Sequence, residues 1–151
     1  MPPVIIADAS CLILPEKLEA MQLLRQLFGR ITVTAIVAEE YGLPLLEWIT
    51  VQAVQNMRQQ QILTLTLDRG EASAIALALE QPDCLLIIDE LRGRKVAQQL
   101  QLSVTGTLGI LIQAKNKGYL PAVKPLLTAI SATNFRLSEQ LIQAVLKQAG
   151  E

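Results

Sequence analysis

The chain has 151 residues, of which 51% are hydrophobic and 18% charged, with a net charge of −1 and no histidine. A chain of this length and composition can bury its own core, which excludes a disordered protein and predicts a single domain over residues 1–151. The absence of histidine excludes Ser-His-Asp and Cys-His catalysis, and two cysteines alone cannot complete a zinc site. Oxygen ligands remain, and they favour Mg²⁺ or Mn²⁺.

No segment of the sequence is apolar enough to predict a membrane span. The longest uncharged run, residues 96–114, contains glutamine, serine, threonine and glycine, which are too polar for the hydrocarbon core. The first residues lack the basic segment of a signal peptide and soon reach Asp8. We therefore expect a cytoplasmic protein without a membrane partner, in which Cys11 and Cys84 are buried and unpaired.

Short apolar runs alternate with helical patterns along the chain. In chain order the sequence predicts a strand at 4–7, a helix at 15–28, a strand at 31–34, a helix between Thr34 and Gly42, a strand at 48–54, helices at 55–62 and 71–80, a strand at 85–88, a helix at 94–100, a strand at 103–105, and helices at 107–117, 121–131 and 138–149.

Glycine, proline, threonine and serine set several of these predicted boundaries. Pro15 favours a helix start and Gly29 a helix end, while Thr34 and Ser138 are typical helix caps. The alternation of short buried strands with helices predicts an α/β fold with a central, mainly parallel sheet that is covered on both faces.

Four acidic residues are candidates for a functional site: Asp8, Glu40, Glu71 and Asp89. Asp8 and Asp89 follow predicted strands, where the functional residues of parallel sheets usually lie, and the other two are on helices that could face the same edge. Carboxylates about 5 Å apart repel by roughly 3 kcal/mol per pair at an effective dielectric near 20. A fold keeps such a group if a cation offsets the repulsion or some carboxyls stay protonated.

Each acid also has a purely structural interpretation. Asp8 could cap the turn that follows it, and Asp89 could cap the next helix. Glu71 could form a capping box with Asp68, and Glu40 could be a solvated helix residue. The spacing of the acids leaves both interpretations open.

Five segments of the sequence resemble the motifs of PIN domains. They are IADASCLI at residues 6–13, VAEE at 37–40, LDRGEASAIALA at 67–78, LIIDELRGR at 86–94 and VTGTLG at 104–109. The resemblance runs from Val4 to about Gly150, and the third and fourth motifs in tandem are its most specific part. The last segment is similar to one poorly characterised subgroup of predicted nucleic-acid-binding PIN proteins.

This resemblance implies a three-layer α/β/α fold and a pocket in which Asp8, Glu40, Glu71 and Asp89 hold Mg²⁺ or Mn²⁺. PIN domains are typically metal-dependent ribonucleases acting on single-stranded RNA. Many are VapC-type toxins, which form homodimers and are neutralised by an antitoxin protein. Ser10 matches a small hydroxyl position near the metal.

The mechanistic hypothesis gives Asp8 and Asp89 direct contact with the metal, while Glu40 and Glu71 bind it or orient its waters. A bound metal lowers the pKa of its water and stabilises charge on the phosphate oxygens.

Three basic residues, Arg92, Arg94 and Lys95, are predicted to bind RNA phosphates near the pocket. In the alternative interpretation, these residues form a solvated helix face that pairs with Glu90.

Departures from the family motifs leave functions other than a ribonuclease open. Ala9 and Cys11 stand where the family commonly has threonine and proline, and Glu71 stands where toxins usually have aspartate. With the near-neutral charge, these differences favour a non-catalytic, nucleic-acid-binding or regulatory module as the alternative. A receiver-type domain is disfavoured because no lysine stands directly after the strand at 103–105, and no glycine-rich nucleotide loop is present. The two C-terminal helices carry more apolar surface than a monomer is expected to bury, which predicts a homodimer.

Overall fold

A five-stranded, all-parallel sheet forms the centre of the computed structural model, which describes residues 3–151. The strands are β1 (Val4–Ala7), β2 (Ile31–Val33), β3 (Ile49–Val51), β4 (Cys84–Ile87) and β5 (Ser103–Thr105). Their order is β3-β2-β1-β4-β5. Ile6 of β1 lies opposite Thr32 on one side and Leu86 on the other, so β1 is the middle strand.

Helices cover both faces of this sheet. They are α1 (Ser10–Lys17), α2 (Met21–Phe28), α3 (Ala35–Tyr41), α4 (Met57–Leu63), α5 (Arg69–Leu79), α6 (Leu91–Gln99), α7 (Thr107–Asn116), α8 (Lys124–Ser131) and α9 (Glu139–Gln148). One core lies between the sheet and α1, α2 and α3, and a second lies between the sheet and α5 and α6. The chain therefore has the three-layer α/β/α architecture that the sequence predicted.

The middle strand shows why its sequence is apolar throughout. Ile5 and Ala7 pack into the first core, and Ile6 packs into the second. Alternate residues of a strand point to opposite faces, so a strand covered on both faces needs a continuous apolar run. A third apolar cluster lies among helices only and joins α8 and α9 to α7 and α2.

The prediction of one helix over residues 15–28 is wrong. Pro15 lies inside α1, which begins five residues earlier at Ser10. The first turn of α1 forms because the carbonyls of Asp8 and Ala9 accept hydrogen bonds from the amides of Cys11 and Leu12 at 3.1 and 3.0 Å. The chain then breaks between α1 and α2, where Glu19 adopts a left-handed φ of 55°.

Most predicted helix ends are confirmed. Thr34 accepts a hydrogen bond from the amide of Val37, and Ser138 accepts one from the amide of Leu141. Gly42 ends α3 in the left-handed conformation. The helix predicted at 94–100 begins earlier, at Leu91, because Glu90 serves as its N-cap.

Two further expectations concern membrane-spanning helices and the two cysteines. Over residues 3–151, no helix is both long and apolar enough to cross a membrane. Cys11 and Cys84 are free and buried, as predicted.

A buried chain of hydroxyl groups joins α3 to α5. The Oγ of Ser73 donates to the carbonyl oxygen of Gly70 at 2.8 Å, and it lies 2.7 Å from the Oγ1 of Thr34. The Oγ1 of Thr34 also accepts from the amide of Val37 at 3.1 Å. Because Ser73 uses its proton on Gly70, the proton of Thr34 points to Ser73, and each group in the chain is satisfied. This chain fixes the first turn of α5 against the first turn of α3.

We expect Ser73→Ala to lower the free energy of unfolding by about 1–3 kcal/mol, because it leaves the proton of the buried Thr34 hydroxyl without an acceptor and removes one hydrogen bond to the Gly70 carbonyl. Chemical denaturation of the wild type and the variant measures the change. Ser131→Ala is the matched control, because its hydroxyl also bonds a carbonyl of its own helix, that of Leu127 at 3.0 Å, but on an exposed residue. Equal effects of the two substitutions would contradict the proposed role of the hydroxyl chain.

Candidate functional site

Asp8 lies at the carboxyl end of β1, where the sheet itself fixes its backbone. Its amide donates to the carbonyl oxygen of Ile87 at 3.0 Å, and its side chain accepts a hydrogen bond from the Oγ of Ser10 at 3.3 Å. The side chain is buried. Burial raises the pKa of Asp8 to about 6, with smaller contributions from the charges of Asp68 and Glu40 and opposing hydrogen bonds from Ala9 and Ser10.

Glu71 lies in the first turn of α5, three residues after the N-cap Asp68. Its amide donates to the Oδ1 of Asp68 at 2.9 Å, so the Asp68 half of the predicted capping box is present. The Glu71 side chain is buried, and its Oε2 has no hydrogen-bond partner among the described residues. Burial is the main reason that the pKa of Glu71 rises to about 8, followed by the adjacent Asp68 carboxyl and the charges of Asp8 and Glu90.

Asp8 and Glu71 open into one cleft of about 320 Å³ at the carboxyl edge of the sheet. We call it the acidic cleft, and its walls are formed by Asp8, Ser10, Thr66, Leu67, Asp68, Glu71, Glu90 and Arg92. Four of these side chains are carboxylates, and one is a guanidinium. The carboxylates come from the end of β1, from the start of α5 and from the residue that precedes α6.

Two glycines leave room for acidic side chains beside this cleft. A Cβ on Gly70 would collide with the carboxylate of Glu40, and a Cβ on Gly93 would lie 2.8 Å from the Oε2 of Glu71. Glu40 thus places its carboxylate against the first turn of α5. Burial raises the pKa of Glu40, and the charge of Asp68 adds to this effect while Arg69 opposes it.

Asp89 has a different environment from the other three predicted acids. Its Oδ1 accepts from the amide of Thr107 at 2.7 Å, and its Oδ2 accepts from the Thr107 hydroxyl at 2.6 Å and from the Sγ of Cys11 at 3.4 Å. These bonds use about three of the four acceptor positions of a carboxylate. Asp89 therefore anchors the start of α7, and the suggestion that it caps the next helix is wrong, since Glu90 caps α6.

The structure thus brings together some of the predicted acids and separates others. Asp8 and Glu71 share the acidic cleft, and Glu40 lies beside it against Gly70. Asp89 lines a neighbouring cavity. The sequence predicted only a capping role for Asp68 and only an ion pair for Glu90, yet both carboxylates line the cleft. The signal for Asp68 was its capping position, which holds it within one turn of Glu71.

The three predicted RNA-binding basic residues are also separated. Arg92 lines the acidic cleft and donates to the carbonyl oxygen of Thr66 at 3.4 Å. Arg94 lines the neighbouring cavity, and Lys95 is exposed and lines neither. The ion pairs within 4.0 Å among residues 3–151 are Arg25–Glu47 and Lys115–Glu151, so the alternative pairing with Glu90 is not formed.

The chemistry of the acidic cleft fits a hard divalent cation. The donors are carboxylate oxygens, and the buried Oε2 of Glu71 has no partner in the described part of the chain. Over the same residues, no three acidic or cysteine side chains are placed to hold an ion together. Mg²⁺ is usually bound through one or two carboxylates while waters complete its shell. Asp8 and Glu71 supply two carboxylates to this cleft.

Fold and site together define an α/β protein with an acidic cleft at the carboxyl edge of a parallel sheet. A family model described as a PIN domain matches residues 4–151. The chain therefore belongs to the PIN-domain family, a family of nuclease-like proteins that typically use divalent metals. A search of curated proteins finds no significant match.

The raised pKa values of Asp8 and Glu71 predict how stability depends on pH in the absence of divalent metal. Both groups bind protons more tightly in the folded state, so their contribution is fully present below about pH 4 and is lost as the pH rises through about 6 and 8. Above pH 8 we expect Glu71→Gln to be more stable than the wild type by roughly 1–3 kcal/mol, since one pKa unit corresponds to about 1.4 kcal/mol and the cleft is open to water.

Chemical denaturation between pH 5 and about pH 9 in the presence of a chelator measures this dependence. The control is Glu139→Gln at an exposed position of α9, which should change the stability by a similar amount at every pH in this range. A wild type whose stability does not change over this range would show that the two carboxyls titrate normally.

Proposed function

We propose that the protein is a divalent-metal-dependent ribonuclease that cleaves single-stranded RNA at the acidic cleft. The observation that carries this proposal is the buried Oε2 of Glu71, which has no hydrogen-bond partner among residues 3–151, together with the buried carboxylate of Asp8 in the same cleft. Membership of the PIN-domain family supports nuclease chemistry at a coarser level. The choice of RNA rather than another phosphodiester is part of the proposal.

In this proposal Asp8 and Glu71 are the residues that hold Mg²⁺ or Mn²⁺. This revises the sequence-based hypothesis, in which Asp8 and Asp89 contact the metal, because Asp89 is held by Thr107 and Cys11. When bound, the metal supplies an activated water and stabilises charge that develops on the phosphate.

The remaining groups of the cleft have supporting roles. Ser10 donates its proton to the Oδ2 of Asp8, which fixes the orientation of that carboxylate. Glu40, Asp68 and Glu90 add negative potential, which favours binding of a cation over a bare phosphate. Arg92 is exposed at the wall of the cleft, where its guanidinium can bind a phosphate of the RNA.

The alternative is a PIN module that binds nucleic acid without cleaving it. One observation favours it: no three acidic or cysteine side chains among residues 3–151 are placed to hold an ion together. Loss of the metal site would leave the basic residues able to bind RNA. A regulatory role would then replace catalysis.

Cleavage of labelled single-stranded RNA in Mg²⁺ or Mn²⁺ distinguishes the two functions. We expect Asp8→Asn and Glu71→Gln each to lower the cleavage rate by at least roughly 100-fold, since even outer partners of metal ligands contribute 10–100-fold. Asp89→Asn should have a smaller effect, because an asparagine oxygen can still accept from Thr107. Asp83→Asn, on the turn before β4 at the opposite edge of the sheet, is the matched control.

If no RNA cleavage is observed, calorimetric titration with Mn²⁺ shows whether the protein binds the metal. A folded wild type that binds Mn²⁺ through Asp8 and Glu71 without cleaving RNA would favour the regulatory alternative. If Mn²⁺ does not bind and Asp8→Asn changes nothing, the proposed site is wrong.

A toxin role, with an antitoxin partner and a homodimer in the cytoplasm, remains a further proposal. It rests on family resemblance and on apolar residues that α9 leaves exposed, such as Leu141. We expect light scattering at micromolar concentration to give the mass of a dimer. The mass of a single chain would contradict the homodimer.

A further inference from the structure

A second large cavity lies beside the acidic cleft, on the far side of Asp89. It has a volume of about 570 Å³ and is bounded by α6, β5, α7, α9 and the segment before α9. Its wall is largely apolar, with Val104, Leu108, Ile112 and Val145 among the residues that form it. We call this cavity the C-terminal groove.

Two guanidinium groups reach this groove, Arg94 from α6 and Arg136 from the segment between α8 and α9. Within residues 3–151 neither forms an ion pair shorter than 4.0 Å. Arg94 donates to the carbonyl oxygen of Ile88 at 3.5 Å, which leaves its other donors available. The one acid in the wall, Asp89, is already bonded to Thr107. Asp89 keeps its negative charge, so the groove carries two guanidinium charges against one carboxylate, whereas the neighbouring cleft is acidic.

Phe135 connects the groove to the acidic cleft. It lines the C-terminal groove and also a smaller cavity of about 260 Å³, whose wall includes Ser10 and Lys17. Ser10 in turn lines the acidic cleft. The three cavities thus follow one another along the carboxyl edge of the sheet, with Ser10 and Phe135 at the two boundaries.

We propose that the C-terminal groove binds a nucleotide of single-stranded RNA that neighbours the nucleotide at the acidic cleft. Arg94 and Arg136 bind its phosphate, and its base packs against the ring of Phe135 and the apolar wall. This inference rests on the proposed function, because it takes RNA as the substrate of the cleft.

The dimensions and chemistry of the groove support this occupant. Its volume lies within the range of about 300–1,000 Å³ that small-molecule sites occupy. Guanidinium groups bind phosphate through paired hydrogen bonds, and stacking of a base on an aromatic ring does not depend on the base. A site of this kind positions RNA without selecting its sequence, since phosphate contacts carry no sequence information.

Fluorescence anisotropy with a labelled oligoribonucleotide tests the groove separately from catalysis. The measurements use Asp8→Asn in Mg²⁺, so that the RNA stays intact, and compare this protein with versions that also carry Arg136→Gln or Phe135→Leu. We expect Arg136→Gln to weaken binding roughly 5-fold or more and to reduce the salt dependence of the affinity by about one ion. Phe135→Leu should weaken binding without changing the salt dependence.

Arg30→Gln is the matched control, because Arg30 is exposed and precedes β2 at the opposite edge of the sheet. Thermal unfolding shows whether each variant is folded, and Arg136→Gln alters an exposed residue outside the helices. If RNA binding is absent, or if Arg136→Gln and Arg30→Gln bind RNA equally, the inference is wrong. If the wild type does not cleave RNA but Arg136→Gln still weakens binding with the lower salt dependence, the nuclease proposal fails and the groove remains.

Discussion

The burial of two carboxylates, those of Asp8 and Glu71, is the physical constraint on which the site depends. Both carboxylates are buried beside other acidic side chains, and this destabilises their charged forms. Hydrogen bonds of the surrounding fold hold them in place. Asp8 is fixed by the pairing of β1 with β4, while Glu71 is fixed by the Asp68 cap and by the hydroxyl chain through Ser73. A cation in the cleft would remove the electrostatic cost of this arrangement.

Asp89 divides the carboxyl edge of the sheet into two regions of opposite charge. Its carboxylate anchors α7, and the acidic cleft lies on one side of it while the C-terminal groove lies on the other. In the proposed function the cleft binds a cation and the groove binds a phosphate, which are the two charged partners that hydrolysis of a phosphodiester brings together. Ser10 and Phe135 stand between the two regions. In the proposed function, the RNA therefore runs along the carboxyl edge of the sheet between the acidic cleft and the C-terminal groove.

Some parts of the site were predictable because they depend on local sequence. A run of apolar residues before Asp8 and another before Asp89 place both at the carboxyl edge, since parallel strands end on the same side. The spacing of Asp68 and Glu71 predicts a capped helix start, and this is present. The helix start predicted from Pro15 was wrong. Proline is common at the start of a helix, but here it follows a first turn that is closed by hydrogen bonds to the carbonyls of Asp8 and Ala9.

The sequence alone therefore determined the α/β class, the alternation of strands and helices, and the restriction to oxygen ligands, because these follow from periodicity, caps and the lack of histidine. Only the tertiary structure decided which acids face one another. Gly70 and Gly93 make room for Glu40 and Glu71, and Thr107 turns Asp89 towards α7. It also placed Arg94 and Arg136 in the wall of one cavity. These contacts join residues that are distant in the chain, and the direction of a side chain depends on packing that no local pattern encodes.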